Sequence, residues 1–285
     1  FLWGTTFVAQ DTGMDFIGPY TFCAVRLFLG FLGLLPFFIY FEFNEIRKIN
    51  FNLKKVFFFT LILGSIFGMA NILQQVSLLY TDIANSAVFT VLYVVIVPLI
   101  SYFIFSIKIH PSIWPSVTLC LIGGLLLSEI KNYDVRFGDM LVIIGAFFWA
   151  FHIIFIYKVL KIFNFPIAIA TFQCLVAGIF CSFPALAFET VTINLISKEI
   201  TELLYAGILS SGVAFMLQAY AQRVLSPASV AIIFSLEGVF ASIFGWILLD
   251  QFLSEIKVFG IMIILLAVIF SQLIPIYGKK NYGRI

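Results

Sequence analysis

Apolar runs of about twenty residues succeed one another along almost the whole chain, and the charged residues fall between them. A helix that crosses a bilayer needs about 20 mostly apolar residues, so this rhythm sets the class. Hydrophobic residues are 62% of the 285 and charged residues 11%, against about 45–50% and about 25% in soluble domains. A soluble chain of this length could not cover its surface with so little charge. The net charge of +2 carries no nucleic-acid signal, and the expected surroundings are the lipid bilayer. The 36 phenylalanines, as in Phe57-Phe58-Phe59, read as lipid-facing bulk.

The spacing predicts ten spans, at about 1–9, 18–40, 56–79, 84–106, 114–129, 138–160, 166–188, 202–224, 228–250 and 256–277. The first is read as truncated, and no cleavable signal peptide is visible. Connections are short, the longest being about 41–55, and leave no room for a soluble domain. The four cysteines Cys23, Cys120, Cys174 and Cys181 all lie in apolar runs without metal-ligand or CxxC spacing. They read as small hydrophobes. Trp114, Tyr133, Tyr205 and Tyr277 near span ends read as interface anchors.

The chain resembles itself. Sliding it by 144 residues puts Leu73-Gln74 on Leu217-Gln218, Ala84 on Ala228, Ala87 on Ala231 and Leu92 on Leu236. Pro19 and Pro36 in span 2 recur as Pro166 and Pro184 in span 7, and Trp3-Gly4 matches Trp149-Ala150. Two units follow, 1–130 and 137–278, each of five spans. Five is odd, so the second unit is expected upside down relative to the first. The expected fold is therefore an all-α membrane protein with ten transmembrane helices in two inverted five-helix repeats.

Lys and Arg set the orientation. With the N-terminus inside, the cytoplasmic segments hold Arg47, Lys48, Lys54, Lys55, Lys108, Lys158, Lys161, Arg223, Lys279, Lys280 and Arg284, eleven in all, against Lys131, Arg136, Lys198 and Lys257 outside. Acids lean the other way, with Asp11, Asp15, Asp82, Asp134, Asp139, Glu189, Glu199 and Glu255 outside. Both termini are placed in the cytoplasm.

Function should lie with the polar residues inside the spans, because an ionisable group in hydrocarbon costs at least a few kcal/mol. Glu237 stands near the middle of span 9 and Arg26 about eight residues into span 2. A carboxylate suits an amine or a coupled proton, and a guanidinium suits a carboxylate. The alternative for each is a structural bond to a helix end or a freed carbonyl. In span 3, Gly64, Gly68, Asn71 and Gln75 share one helical face, as do Gly207, Ser211, Ala214, Gln218 and Gln222 in span 8. Such faces either pack closely against other helices or line a cavity; the amides Gln74, Gln75 and Gln218 are candidates for the second role. His152 beside Trp149 is either a proton relay or a satisfied histidine. Pro98 is expected to kink span 4. There is no GxSxG, HExxH, P-loop or GxGxxG, so neither an enzyme, an ATP-driven pump nor a cofactor is expected. The acids are too few for a multi-carboxylate metal cage.

Taken in order, Trp3-Gly4-Thr5-Thr6-Phe7, Pro19 with Arg26, Ala84-Asn85-Ser86-Ala87, Ser226-Pro227-Ala228, Glu237-Gly238-Val239-Phe240-Ala241 and Gly245-Trp246-Ile247-Leu248-Leu249-Asp250 resemble the drug/metabolite transporter superfamily in its ten-helix EamA-like branch. That family often has Pro where Gly238 stands and Glu where Asp250 stands. In the first half Tyr93 occupies the place of the buried Glu and Ser106 that of the terminal acid. The resemblance implies a secondary carrier in a bacterial inner membrane, with a central cavity between two inverted repeats. It would move amino acids, other metabolites or toxic compounds, often outward. Few intramembrane charges and many aromatics favour a small zwitterionic or partly apolar solute, such as an amino acid, over a phosphate ester. The competing class is a non-transporting receptor or assembly subunit that keeps the fold. The candidate site residues are Trp3, Arg26, Asn71, Gln74, Gln75, Trp149, His152, Gln218, Gln222 and Glu237.

Overall fold

The computed structural model describes residues 1–49, 52–81, 83–128, 136–249 and 252–281. Asp82, Lys131, Tyr133, Asp134, Asp250 and Arg284 lie outside them. The described residues form helices and no strand. In order these are α1 (Leu2–Thr12), α2 (Pro19–Phe37), α3 (Phe43–Lys48), α4 (Leu53–Ser77), α5 (Ile83–Thr90), α6 (Tyr93–Phe103), α7 (Ile113–Ser128), α8 (Phe137–Ile162), α9 (Pro166–Phe188), α10 (Ile193–Lys198), α11 (Ile200–Leu204), α12 (Phe215–Gln222), α13 (Pro227–Phe234), α14 (Leu236–Leu249) and α15 (Glu255–Asn281). A π-helical turn joins α2 to α3, so the segment read as a long loop is largely a helical extension of span 2. A ten-residue π-helical stretch, Tyr205–Ala214, joins α11 to α12.

Among the described residues, seven helical stretches are long and apolar enough to cross a membrane. These are Pro19–Lys48, Lys54–Ser77, Phe137–Ile162, Pro166–Phe188, Ile200–Gln222, Pro227–Phe244 and Glu255–Leu273. Tyr93–Phe103 and Ile113–Leu127 are shorter apolar helices.

The antiparallel pair α2 and α9 is fastened at both ends by the same device. Each helix opens on proline at its first position, where a missing N–H costs nothing. Glu189, at the C-terminus of α9, accepts the N–H groups of Tyr20 at 2.9 Å and Thr21 at 2.7 Å. Glu42, beyond the end of α2, accepts those of Ile167 at 3.1 Å and Ala168 at 2.7 Å. A carboxylate at a helix N-terminus satisfies orphan donors and meets the positive end of the dipole. Nearby, Glu199 accepts from Phe16 N at 2.9 Å, while burial raises its carboxyl above the usual range.

Small residues set the closest crossings. A Cβ on Gly207 would stand 2.6 Å from Leu29 Cβ and 2.8 Å from Arg26 O, so the π-helical stretch lies directly against α2. On α4, Gly64 faces Val176 and Gly68 faces Phe180 of α9. The small-residue faces therefore pack, as small-xxx-small contacts do.

Two helices are interrupted at positions 144 residues apart. Span 4 breaks at Val91–Leu92, where Leu92 N bonds Phe89 O at 3.2 Å and Val94 N bonds Val91 O at 2.8 Å, tighter i→i+3 bonds than an α-helix makes. Span 9 breaks at Ser235, whose N–H is shared between Ala231 O and Ile232 O and whose hydroxyl bonds back to Ile232 O at 2.6 Å. α6 runs through Pro98, and the break lies six to seven residues before it.

Candidate functional site

Both breaks open onto one interior cavity. It has an empty volume of about 480 Å³, counted out to its mouth. Of the residues singled out above, Trp3, Arg26, Gln74, Trp149, His152, Gln218 and Glu237 line it. Asn71, Gln75 and Gln222 do not; they are buried behind it and hold the wall. Gln10, Thr90, Tyr93, Ser210 and Phe215 also line it, although nothing in their local sequence marks them. For Tyr93 the signal was the repeat itself: the 144-residue offset superimposes it on Glu237, and each lies in the first turn of the helix after its break.

Arg26 is the costliest group in the wall. It is 4% exposed and has no carboxylate within ion-pair distance; among the described residues the one ion pair is Lys48–Glu45, on the exposed surface. Asn71 Oδ1 accepts from Nη2, and Asn71 is held in turn by donating to Phe67 O at 2.8 Å. Nε and Nη1 have no partner. Gly207 lets the backbone at Arg26 press against the π-helical stretch and so fixes the guanidinium's root.

Acceptors collect on other elements. Gln218 donates through Nε2 to Gln222 Oε1 at 3.0 Å, Gln222 donates to Ile153 O at 2.7 Å, and Gln218 Oε1 is left unpartnered. His152 Nε2 lies 3.0 Å from Gln173 Oε1. An amide oxygen only accepts, so Nε2 carries the proton and the unpartnered Nδ1 is an acceptor. Glu237 is partly buried, faces the cavity and makes no hydrogen bond to the described residues. The Tyr93 hydroxyl is buried and unpartnered.

The remaining surface is aromatic. Trp3 lies 4.8 Å from Phe215 and 4.6 Å from Phe234, ring to ring, and Trp149 stacks on Phe215 at 5.9 Å with 12° between planes. His152 stacks on Phe67 at 4.8 Å. The indole N–H groups are tied down, Trp149 to Gln74 Oε1 at 2.9 Å and Trp3 to Ser210 O at 3.3 Å. Gln74 also meets Gln10 Oε1 at 3.5 Å, and Gln75 donates to Gln10 O at 2.8 Å, which joins α4 to α1. The cavity thus has a donor pole at Arg26, acceptor groups at Glu237, Gln218 and His152, and aromatic walls.

Apolar helices packed around one chamber with a few polar groups in its wall define an integral, multi-pass membrane protein. The chain belongs to the EamA-like transporter family, whose model matches residues 1–129 and 136–273, and it fits the drug/metabolite transporter superfamily. It is 31% identical over 272 residues to a protein of Archaeoglobus fulgidus named an uncharacterized transporter, covering 95% of this chain and 82% of that one. It is 27% identical over 273 residues to the uncharacterized transporter YoaV of Bacillus subtilis, covering 92% and 90%. A solved structure at 15% identity shares the fold, with a TM-score of 0.79 over 98% of this chain and 95% of that one.

Proposed function

We propose that this protein is an alternating-access secondary carrier that exports a small zwitterionic metabolite, of the amino-acid class, across a bacterial inner membrane. The observation that carries the reading is the bipolar cavity. A buried guanidinium with two unpartnered nitrogens calls for a carboxylate, and the Glu237 carboxylate on the cavity wall calls for an ammonium group. The aromatic walls add an apolar surface for a side chain or carbon skeleton. A phosphate ester would need several cations, and among the described residues Arg26 is the one Lys or Arg on the wall.

The inverted-repeat reading fits the pairs on the page. Trp3 with Trp149, Pro19 with Pro166, Glu42 with Glu189, and Tyr93 with Glu237 occupy matching places in the two halves. Interrupted helices at corresponding positions of two halves point to a midplane substrate site. We read the chain as ten spans with both termini cytoplasmic, and Glu237 as the residue that carries a coupled proton.

Ligand-induced thermal stabilisation of the detergent-solubilised protein tests the two poles. An amino acid should raise the melting temperature, while its carboxamide and its deaminated acid should do so far less. Arg26→Gln should level the amino acid with its carboxamide. Equal stabilisation by all three compounds would contradict the bipolar site.

A further inference from the structure

A second recess shares no lining residue with the cavity and lies where α8 and α12 finish. It encloses about 890 Å³ of empty space including its mouth and is lined by Leu160, Lys161, Asn164, Tyr220, Arg223 and Val224. Lys161 is the penultimate residue of α8 and Arg223 follows the last residue of α12, so both stand at the ends of apolar membrane-length helices. That is the depth of the lipid headgroups. Lys161 Nζ sits 5.0 Å from the Tyr157 ring and Arg223 Cζ 5.9 Å from the Tyr220 ring. Neither cation has an ion-pair partner among the described residues. Glu42 is within electrostatic reach of Arg223, but both its oxygens are committed to the N–H groups of Ile167 and Ala168.

The charged lining groups can only donate, and Asn164 and Tyr220 add neutral donors. The rim is apolar and open: Val224 is 85% exposed, Ile162 44% and Tyr220 40%. A soluble anion has no use for that rim, whereas a lipid's acyl chains do. Basic recesses between membrane helices suit anionic headgroups.

We propose that this recess seats the phosphodiester headgroup of an anionic phospholipid between Lys161 and Arg223, with its chains against the apolar rim. The site is separate from the transport cavity and does not depend on the identity of the solute.

The test is thermal melting in detergent with phosphatidylglycerol, phosphatidylcholine or glycerol phosphate added at equal concentration. Phosphatidylglycerol should raise the wild-type midpoint well above the value with phosphatidylcholine, and glycerol phosphate should leave it unmoved. In a Lys161→Gln/Arg223→Gln double variant, the two lipids should become equal. A Lys54→Gln/Lys55→Gln variant should keep the wild-type preference. The proposal is overturned if the wild type prefers neither lipid, if the recess variant keeps the preference, or if the control loses it as well. It is also overturned if glycerol phosphate alone reproduces the shift, since the ligand is then a free phosphate ester. Should the double variant not fold, Lys161→Gln alone must lose part of the preference and Lys161→Arg must keep it.

Discussion

Arg26 and Glu237 divide the chemistry of the cavity between them. Burying a guanidinium without an anion costs several kcal/mol, and one amide oxygen from Asn71 offsets only part of that. Such a residue persists where a ligand completes it. Glu237 makes no hydrogen bond to the described residues, and the one cation within electrostatic reach among them is the amino group of Phe1, which suits a group that exchanges an ammonium group or a proton with each cycle. Glu237→Gln should therefore abolish uptake driven by a proton gradient and also weaken solute exchange, because the ammonium group loses its carboxylate. Driven uptake at the wild-type rate would remove Glu237 from coupling. These two residues were legible in the sequence because charge in hydrocarbon is conspicuous. Tyr93 was less so, since a tyrosine in an apolar span is unremarked until the repeat sets it opposite Glu237. Asn71, Gln75 and Gln222 were placed on the right helical faces, but face alone does not tell a lining amide from one that braces the wall. Their hydrogen bonds run to side chains and carbonyls of distant segments, and such pairings are tertiary facts.

At the scale of elements, the reciprocal caps and the paired breaks organise the bundle. Both caps join residues more than 120 positions apart, which is why nothing in the local sequence marks Glu42 or Glu189 as a cap. Glu42→Ala and Glu189→Ala should each lower stability by about 1–2 kcal/mol, read as melting in detergent. The effects should add, because the sites are at opposite ends of the helix pair. If neither change moves the midpoint, the caps do not fasten the pair. Pro98 is the conspicuous helix breaker of span 4, yet α6 continues through it. Proline is tolerated within a membrane helix whose neighbours satisfy the freed carbonyl. The actual break follows the tightened bonds at Val91–Leu92, which no single residue type announces.

For the molecule as a whole, the bundle and its family were legible from apolar runs, and orientation rests on the distribution of Lys and Arg. The four native cysteines are buried and free, so single cysteines introduced at the surface can be labelled without first removing them. Ile193 is 86% exposed and Val224 85% exposed, on faces assigned to opposite sides of the membrane. In intact cells a membrane-impermeant maleimide should label Ile193→Cys and leave Val224→Cys unlabelled. The opposite pattern would invert the topology.

The most direct test of the account is counterflow in proteoliposomes loaded with mixed amino acids and offered one labelled amino acid at a time. The account predicts transient accumulation of a restricted group of amino acids by the wild-type protein, and none by Arg26→Gln. If wild type that is folded and reconstituted accumulates no amino acid, the carboxylate–ammonium reading of the cavity is contradicted. Equal accumulation by wild type and Arg26→Gln would contradict the role given to the buried guanidinium.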